Sequence, residues 1–308
     1  MKRLLLLGGL LTIGGLSLTL TAYQAQPAAE RVIQVEKLKD NLFVLRGEGG
    51  GGNSAIFVGA TGVTVVDTKN PGWGQPILDK IKELTDKPVV RIINTHTHGD
   101  HVSGNVQFPA SVDVVVQENT KGNMERMAGA AGPDGKPGPN IFSANGGRGM
   151  AKLTFKDRMT IGSGAEQIDL YYFGRGHTNG DAWVVFPTLR TMHSGDIFSN
   201  KVVPLLDANN GGSGLEIGDS LTRAADGIKN VDTIITGHGA QMTMADLREY
   251  AQFNKDFLAY VRQGMQAGKS ADAIAAEYKV PDKYKGYTAQ ETRVKGNVQV
   301  VMNELSKR

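Results

Sequence analysis

Between Asn94 and Gly104 the chain places His96, His98, Asp100 and His101 within six positions, directly after the β-branched run Val89–Ile93, which reads as a buried strand. While the backbone is extended, side chains alternate with period two, so His96 and His98 point the same way and can hold one cation together. Asp100 and His101 follow where the chain turns at Gly99 and a short helix can begin, so they aim from a second direction. Imidazole nitrogen and carboxylate oxygen suit zinc, and they suit iron or manganese as well. These donors define a metal site without selecting the metal.

Three later segments each end in a further candidate donor. The run Gln167–Phe173 leads to Gly176-His177-Thr178, Thr191–Ser194 leads to Gly195-Asp196, and Thr233–Thr236 leads to Gly237-His238-Gly239. Glycines beside each donor let the backbone turn sharply and approach closely. Three strands thus deliver three ligands to one edge of a sheet.

The ordered set His96-x-His98-x-Asp100-His101, His177, Asp196 and His238, each in its Gly-flanked context, closely resembles the metallo-β-lactamase superfamily over roughly residues 32–239. That resemblance implies a four-layer αββα sandwich and a centre of two Zn2+ ions. His96, His98 and His177 hold one zinc, Asp100, His101 and His238 hold the other, and Asp196 bridges them. It also places Asp67, in Val65-Val66-Asp67-Thr68, where the family's aspartate braces the metal loop. An aspartate at position 196 is similar to the glyoxalase II and lactonase branches and departs from lactamases that carry cysteine or serine there.

The implied activity is zinc-dependent hydrolysis. An activated water attacks the carbonyl of an ester-like, thioester, lactone or β-lactam substrate, and Asp100 orients the water and passes its proton to the leaving atom. Two other readings exist on the same fold. A mononuclear iron persulfide dioxygenase-like oxidoreductase would use only His96, His177 and Asp196, and a non-catalytic metal-binding member would use no chemistry at all. Retention of Asp100, His101 and His238 argues against the first, and the complete ligand set argues against the second.

The elements that must position these residues follow from periodicity and turn signals. Short strands are expected at Val32–Lys37, Leu42–Leu45, Ala55–Val58 and Val63–Asp67, a meander opening an antiparallel sheet. Gly49–Gly52 and Asn53 form a loop within it, either a flap over a site or a plain connector. An amphipathic helix at Pro76–Leu84 returns to Val89–Ile93, and Val112–Val116 is another buried strand. Gly129–Gly149 is loop-rich and reads as a lid or an insertion. A second set of strands is expected at Lys152–Phe155, Gln167–Phe173, Trp183–Phe186 and Thr191–Ser194, with Thr233–Thr236 after a helix at Leu215–Ile228. Helices follow at Met244–Gln263, Ala271–Glu277 and Ala289–Leu305. Strand layers with helices outside predict an α/β sandwich, a single domain over residues 30–308 with a helical C-terminal part.

Met1-Lys2-Arg3 followed by the apolar stretch Leu4–Ala22 predicts that residues 1–25 are a signal peptide or an N-terminal anchor, hence a periplasmic or secreted protein. Membrane contact is expected only if that segment stays uncleaved. There is no cysteine, so any metal is held by nitrogen and oxygen. With 34 basic and 31 acidic residues, a net charge of +3 and no basic run, no nucleic-acid partner is expected. The expected partner is a small-molecule carbonyl substrate, and oligomeric state is not readable. Lys201, Arg175 and Asn179 lie near ligands in sequence and are candidates for binding a substrate carboxylate, against the commoner role of exposed loop polarity. His193, just before Ser194-Gly195-Asp196, reads as a strand residue or as a support for the metal loop.

Overall fold

The computed structural model describes residues 31–129 and 135–307. The expected signal segment, residues 1–25, and the tip of the Pro-Gly-rich loop, residues 130–134, lie outside them.

The N-terminal meander forms as expected: β1 (Ile33–Lys39), β2 (Leu42–Gly47), β3 (Ser54–Val58) and β4 (Val63–Val66) pair antiparallel in order. Helix α1 (Gly74–Leu84) then carries the chain to β5 (Val89–Ile93), which lies parallel to β4. The short α2 (Gly99–Val102) begins at the turn after the ligand strand, as the position of Gly99 requires. Next come β6 (Asp113–Gln117), α3 (Glu118–Arg126), α4 (Ile141–Ala144) and β7 (Leu153–Phe155), which complete a seven-stranded sheet in sequence order. The second sheet holds β8 (Arg158–Ile161), β9 (Ile168–Tyr171), β10 (Trp183–Phe186), β11 (Thr191–Gly195) and, after α5 (Ile217–Gly227), β12 (Thr233–Thr236). Its order is β12-β11-β10-β9-β8, with only β11 and β12 parallel. Helices α6 (Met244–Gln266), α7 (Ala271–Glu277) and α8 (Glu291–Leu305) close the chain.

Alternation along the central strands creates three apolar layers. Val66, Ile93 and Val115 of the first sheet face Leu170, Val184 and Ile235 of the second. Their neighbours Val65, Ile92 and Val114 point outward, under Ile77 and Ile81 of α1. On the far side Trp183, Met192 and Ile234 meet Leu221 of α5, Leu247 and Phe257 of α6 and Val298 of α8. Strands buried on both faces have no polar side to show, which is why they read as continuous apolar runs. Each fully buried aliphatic or aromatic side chain contributes about 1.5–3 kcal/mol, so the sandwich is a stiff support for its loops.

Four details differ from the sequence expectation. β7 belongs to the first sheet, paired parallel to β6, because strand pattern alone does not say which sheet a strand joins. β8 was not expected, since Arg158–Ile161 is an edge strand with polar, exposed positions. β9 stops at Tyr171, and the rest of the expected strand is loop. Within Gly129–Gly149 the chain is not structureless: Gly129 and Gly138 form a bridge, and Phe142 of α4 is fully buried in the outer layer.

Candidate metal centre

β4 and β5 run parallel, as do β11 and β12, so their C-terminal ends bring Asp67, the 96–101 loop, Asp196 and His238 to one edge of the sandwich. Asn53 ties the two sheets there, its amide donating to the Gly237 carbonyl at 2.7 Å and its Nδ2 to the Thr236 carbonyl at 2.9 Å. Gly237 has to be glycine at this seam, because a Cβ would lie 1.8 Å from Asp196 Oδ1.

All seven predicted ligands converge. Donor atoms of His96, His98, His177 and Asp196 lie within 4.8 Å of one another, and so do those of Asp100, His101 and His238. Asp196 reaches both groups: Oδ2 is 3.9 Å from His177 Nε2 and 3.3 Å from His238 Nε2, while Oδ1 is 3.3 Å from His101 Nε2. His238 Nε2 is 3.1 Å from Asp100 Oδ2 and 3.3 Å from His101 Nε2.

Each of the other four histidines has one ring nitrogen committed to the protein. His177 Nδ1 donates to the Leu205 carbonyl at 2.7 Å, His98 Nε2 to Asp207 at 2.7 Å, and His101 Nδ1 to Asp67 at 2.7 Å. Thr95 Oγ1 donates to Asp67 at 2.7 Å and accepts from His96 Nδ1 at 3.0 Å. These bonds turn the remaining nitrogens inward as lone pairs. His98 Nδ1 and His177 Nε2 then face each other at 2.8 Å, and His96 Nε2 is buried with no partner. Two lone pairs at that distance repel unless a positive centre sits beside them, and an orphaned buried nitrogen is costly. The donor set fits a divalent cation bound through nitrogen and oxygen.

The electrostatics agree. Burial, reinforced by the neighbouring imidazoles, holds His96 neutral and lowers His177 to about 4. Burial also opposes charge on His101, yet Asp196 and Asp67 outweigh it and hold this imidazole well above its ordinary range. For His238 the same opposition is overcome by hydrogen bonds to Asp100 and Asp196, which raise it to about 9. Burial opposes the Asp196 carboxylate too, but His101 keeps it well below the usual range. Carboxylates held charged in a closed space require compensating positive charge, and metal binding displaces the ring protons that otherwise supply it.

Asp67 sits where the resemblance placed it, at the end of β4 with φ 59°, a left-handed conformation fixed by its bonds to Thr95 and His101. His193 is a support: its Nδ1 accepts from the Gly195 amide at 3.0 Å and its Nε2 donates to the Asn53 carbonyl at 3.2 Å. Loop 49–52 is tied to the site. The Gly52 amide donates to the Asp100 carbonyl at 3.1 Å, Lys69 Nζ donates to the Gly52 carbonyl at 2.5 Å, and a Cβ on Gly52 would lie 2.2 Å from the His101 ring.

A cavity of about 340 Å³ opens over His98, Asp100, His177, Asp196 and His238. None of the three expected carboxylate binders reaches it. Lys201 pairs with Asp246 at 2.7 Å, Arg175 with Glu216 at 2.8 Å and Glu304 at 3.1 Å, and Asn179 accepts from Asn123 at 2.9 Å. Arg293 of α8 lines the cavity instead. Arg293 and Asp207 were both missed from sequence. Asp207, in Asp207-Ala208-Asn209-Asn210, carries only a turn signal, and Arg293 carries none. A second cavity of about 550 Å³ meets the first at His238 and is lined by Glu36, Arg46 and Glu48.

Residues 47–239 match the family model described as the metallo-beta-lactamase superfamily. The chain is 28% identical over 198 residues to the metallo-beta-lactamase type 2 of Elizabethkingia meningoseptica, covering 60% of this chain and 70% of that protein. It is 30% identical over 169 residues to the hydroxyacylglutathione hydrolase of Nostoc punctiforme, covering 54% of this chain and 52% of that protein. Among solved structures, the inverting sec-alkylsulfatase Pisa1 from Pseudomonas sp. superposes with a TM-score of 0.67 at 15% identity, over 89% of this chain and 50% of the sulfatase. The DIM-1 metallo-beta-lactamase superposes with a TM-score of 0.55 at 19% identity, over 73% of this chain and 97% of that one. The chain thus spans about half the length of the hydroxyacylglutathione hydrolase and of the sulfatase, and the two superpositions speak for the fold alone.

Proposed function

The chain belongs to the metallo-β-lactamase superfamily, and from that premise we propose that it is a dinuclear zinc hydrolase acting on the carbonyl of an ester-like, thioester, lactone or β-lactam substrate. The observation that carries this is the facing pair His98 Nδ1 and His177 Nε2, 2.8 Å apart, beside the unpartnered His96 Nε2 and within reach of Asp196. His96, His98 and His177 form one half of the centre, Asp100, His101 and His238 the other, and Asp196 serves both.

Paired divalent cations in such a site supply a water acidic enough to ionise near neutral pH and polarise the carbonyl under attack. Thr95, Asp207, the Leu205 carbonyl and Asp67 hold four imidazoles in the tautomers that present lone pairs. Asp100 faces the cavity, orients the attacking water, and carries its proton to the leaving atom. An iron centre confined to His96, His177 and Asp196 leaves His98 pressed against His177 and the gathered Asp100, His101 and His238 without a role, which favours the two-metal reading.

Aspartate at position 196 and the similarity to hydroxyacylglutathione hydrolase support thioesters and lactones, and the similarity to a metallo-beta-lactamase supports β-lactams. The test is EDTA-sensitive hydrolysis of a chromogenic cephalosporin, a thioester and a lactone by the zinc-loaded protein, with Asp100→Ala as control. Turnover by the wild type that EDTA and Asp100→Ala each abolish, with the first half of the centre still loaded in the variant, is the expected result. Zinc at full occupancy with no turnover on any of the three, or one iron and no zinc per chain in protein purified as expressed, overturns the proposal.

We further read residues 30–308 as one domain and residues 1–25 as an export signal that sends it to the periplasm or beyond the cell, supported by Lys2, Arg3 and the apolar run that follows. Recovery of the full chain in the cytoplasmic fraction of expressing cells contradicts the export reading.

A further inference from the structure

Among the described residues, the cavity over the metal centre has one arginine and no lysine in its wall, and that arginine comes from outside the family match. Arg293 lies in the first turn of α8, beyond residue 239, where the match ends. Among the described residues its guanidinium has no ion pair and no side-chain hydrogen bond, whereas Lys201, Arg175 and Arg46 are all paired with carboxylates. The guanidinium of this partly exposed arginine is free to take a ligand in the cavity, and its planar fork matches a carboxylate through two parallel hydrogen bonds.

The position of Arg293 is fixed by the rest of its helix. Val294, Val298 and Val301 are buried in the outer layer against α6 and the second sheet. Asn297 accepts from the Leu206 amide at 3.3 Å and donates to the Pro204 carbonyl at 2.7 Å. Just before α8, Thr288 bridges to Val202. The segment so clamped includes Leu205, whose carbonyl orients His177. The helix that presents the guanidinium is therefore docked on the same stretch of chain that holds a metal ligand. An anion caught there is delivered in a set relation to the scissile carbonyl.

We propose that Arg293 receives a carboxylate of the substrate, so that the carbonyl compound this enzyme hydrolyses is anionic, with its carboxylate within the span of the 340 Å³ cavity from the reacting carbon. The proposal rests on the hydrolase reading for the word substrate, and on the cavity wall alone for the anion site.

The test uses the zinc-loaded protein and two probes, the mononitrophenyl ester of glutaric acid and the same ester with its free carboxylate methylated. Wild type is expected to favour the carboxylate form. In Arg293→Gln the ratio of kcat/KM between the two esters falls about 10- to 100-fold, mostly through KM for the anionic one, and Arg293→Lys keeps part of the preference. An unchanged ratio in Arg293→Gln, with zinc content equal to wild type, overturns the proposal. Calorimetric titration with glutarate, which carries no scissile bond, separates this from the hydrolase reading. If neither ester turns over, the hydrolase reading fails, while glutarate binding at least tenfold weaker in Arg293→Gln still supports the anion site. Equal glutarate binding by wild type and Arg293→Gln refutes it.

Discussion

The two halves of the metal centre use similar donors in unlike surroundings. In the first, His96 and His177 are 0% and 1% exposed, and each of its three imidazoles has its other nitrogen committed to Thr95, Asp207 or the Leu205 carbonyl. In the second, His101 is closed and braced by Asp67, but Asp100 and His238 are 30% and 40% exposed, and His238 stands where two cavities meet. The first half is an anchor whose geometry is settled before anything arrives. The second half is the more open of the two, with the Asp100 carboxylate and the His238 ring both in the cavity wall.

The strongest way to break this contrast is to remove the group the halves share. Asp196→Ala is expected to lose metal from both and to lower kcat/KM by about 10^3-fold or more, read by metal analysis after dialysis together with kinetics. One half retaining full metal with near-normal turnover contradicts a role for Asp196 in both halves. Asp207→Asn disturbs the brace on His98 together with the Asn210 Nδ2 bond to the same carboxylate oxygen and touches nothing in the second half, so metal affinity is expected to fall about 10- to 100-fold in the first half and not in the second. Titration with a competing chelator resolves the two sites, and an equal loss at both refutes the separation.

The smallest effect concerns the strap over the second half. Lys69 is fully buried beneath Gly52, and burial lowers its ammonium to about 8 from 10.5, although Asp67 pulls the other way. Between those pH values Lys69 binds more protons in the unfolded chain than in the folded one, so its own contribution to stability rises with pH across the window. Below about 8 both states hold the proton, and the burial cost is constant. Lys69→Met is expected to flatten that rise, measured by urea unfolding at pH about 7.5 and about 9.5. A stability difference between wild type and Lys69→Met that is level or falling over this interval contradicts it.

What could be read from the sequence depended on density and order. His96, His98, Asp100 and His101 announce themselves because four donors share six positions, and His177, Asp196 and His238 gain meaning from following them beside glycines. The three-layer core was legible because strands buried on both faces are continuous apolar runs. Arg293 was illegible: it is one charge among many on a helical stretch, and nothing in its neighbours tells that the start of α8 reaches the cavity over His98 and His177. Lys201 and Arg175 were attractive for the opposite reason, closeness in sequence, and Asp246 and Glu216 claim them in space. Asp207 was hidden by its own context, since Asp-Ala-Asn-Asn is sufficiently explained as a turn, and its Oδ1 does accept from Asn209 at 3.0 Å while Oδ2 holds His98.

The seam where Asn53 binds Gly237 and Thr236 joins residues more than 180 positions apart, and the ligands themselves run from position 96 to 238. Contacts of such separation form late, after the loop-closure entropy of most of the chain has been overcome. A chain emerging in order from synthesis owns its densest donor cluster early, with the strands that complete the coordination still unmade. Metal captured by the 96–101 loop at that moment is held by half a site, and only docking of the second sheet closes it. The full donor set therefore exists only once the two sheets have docked.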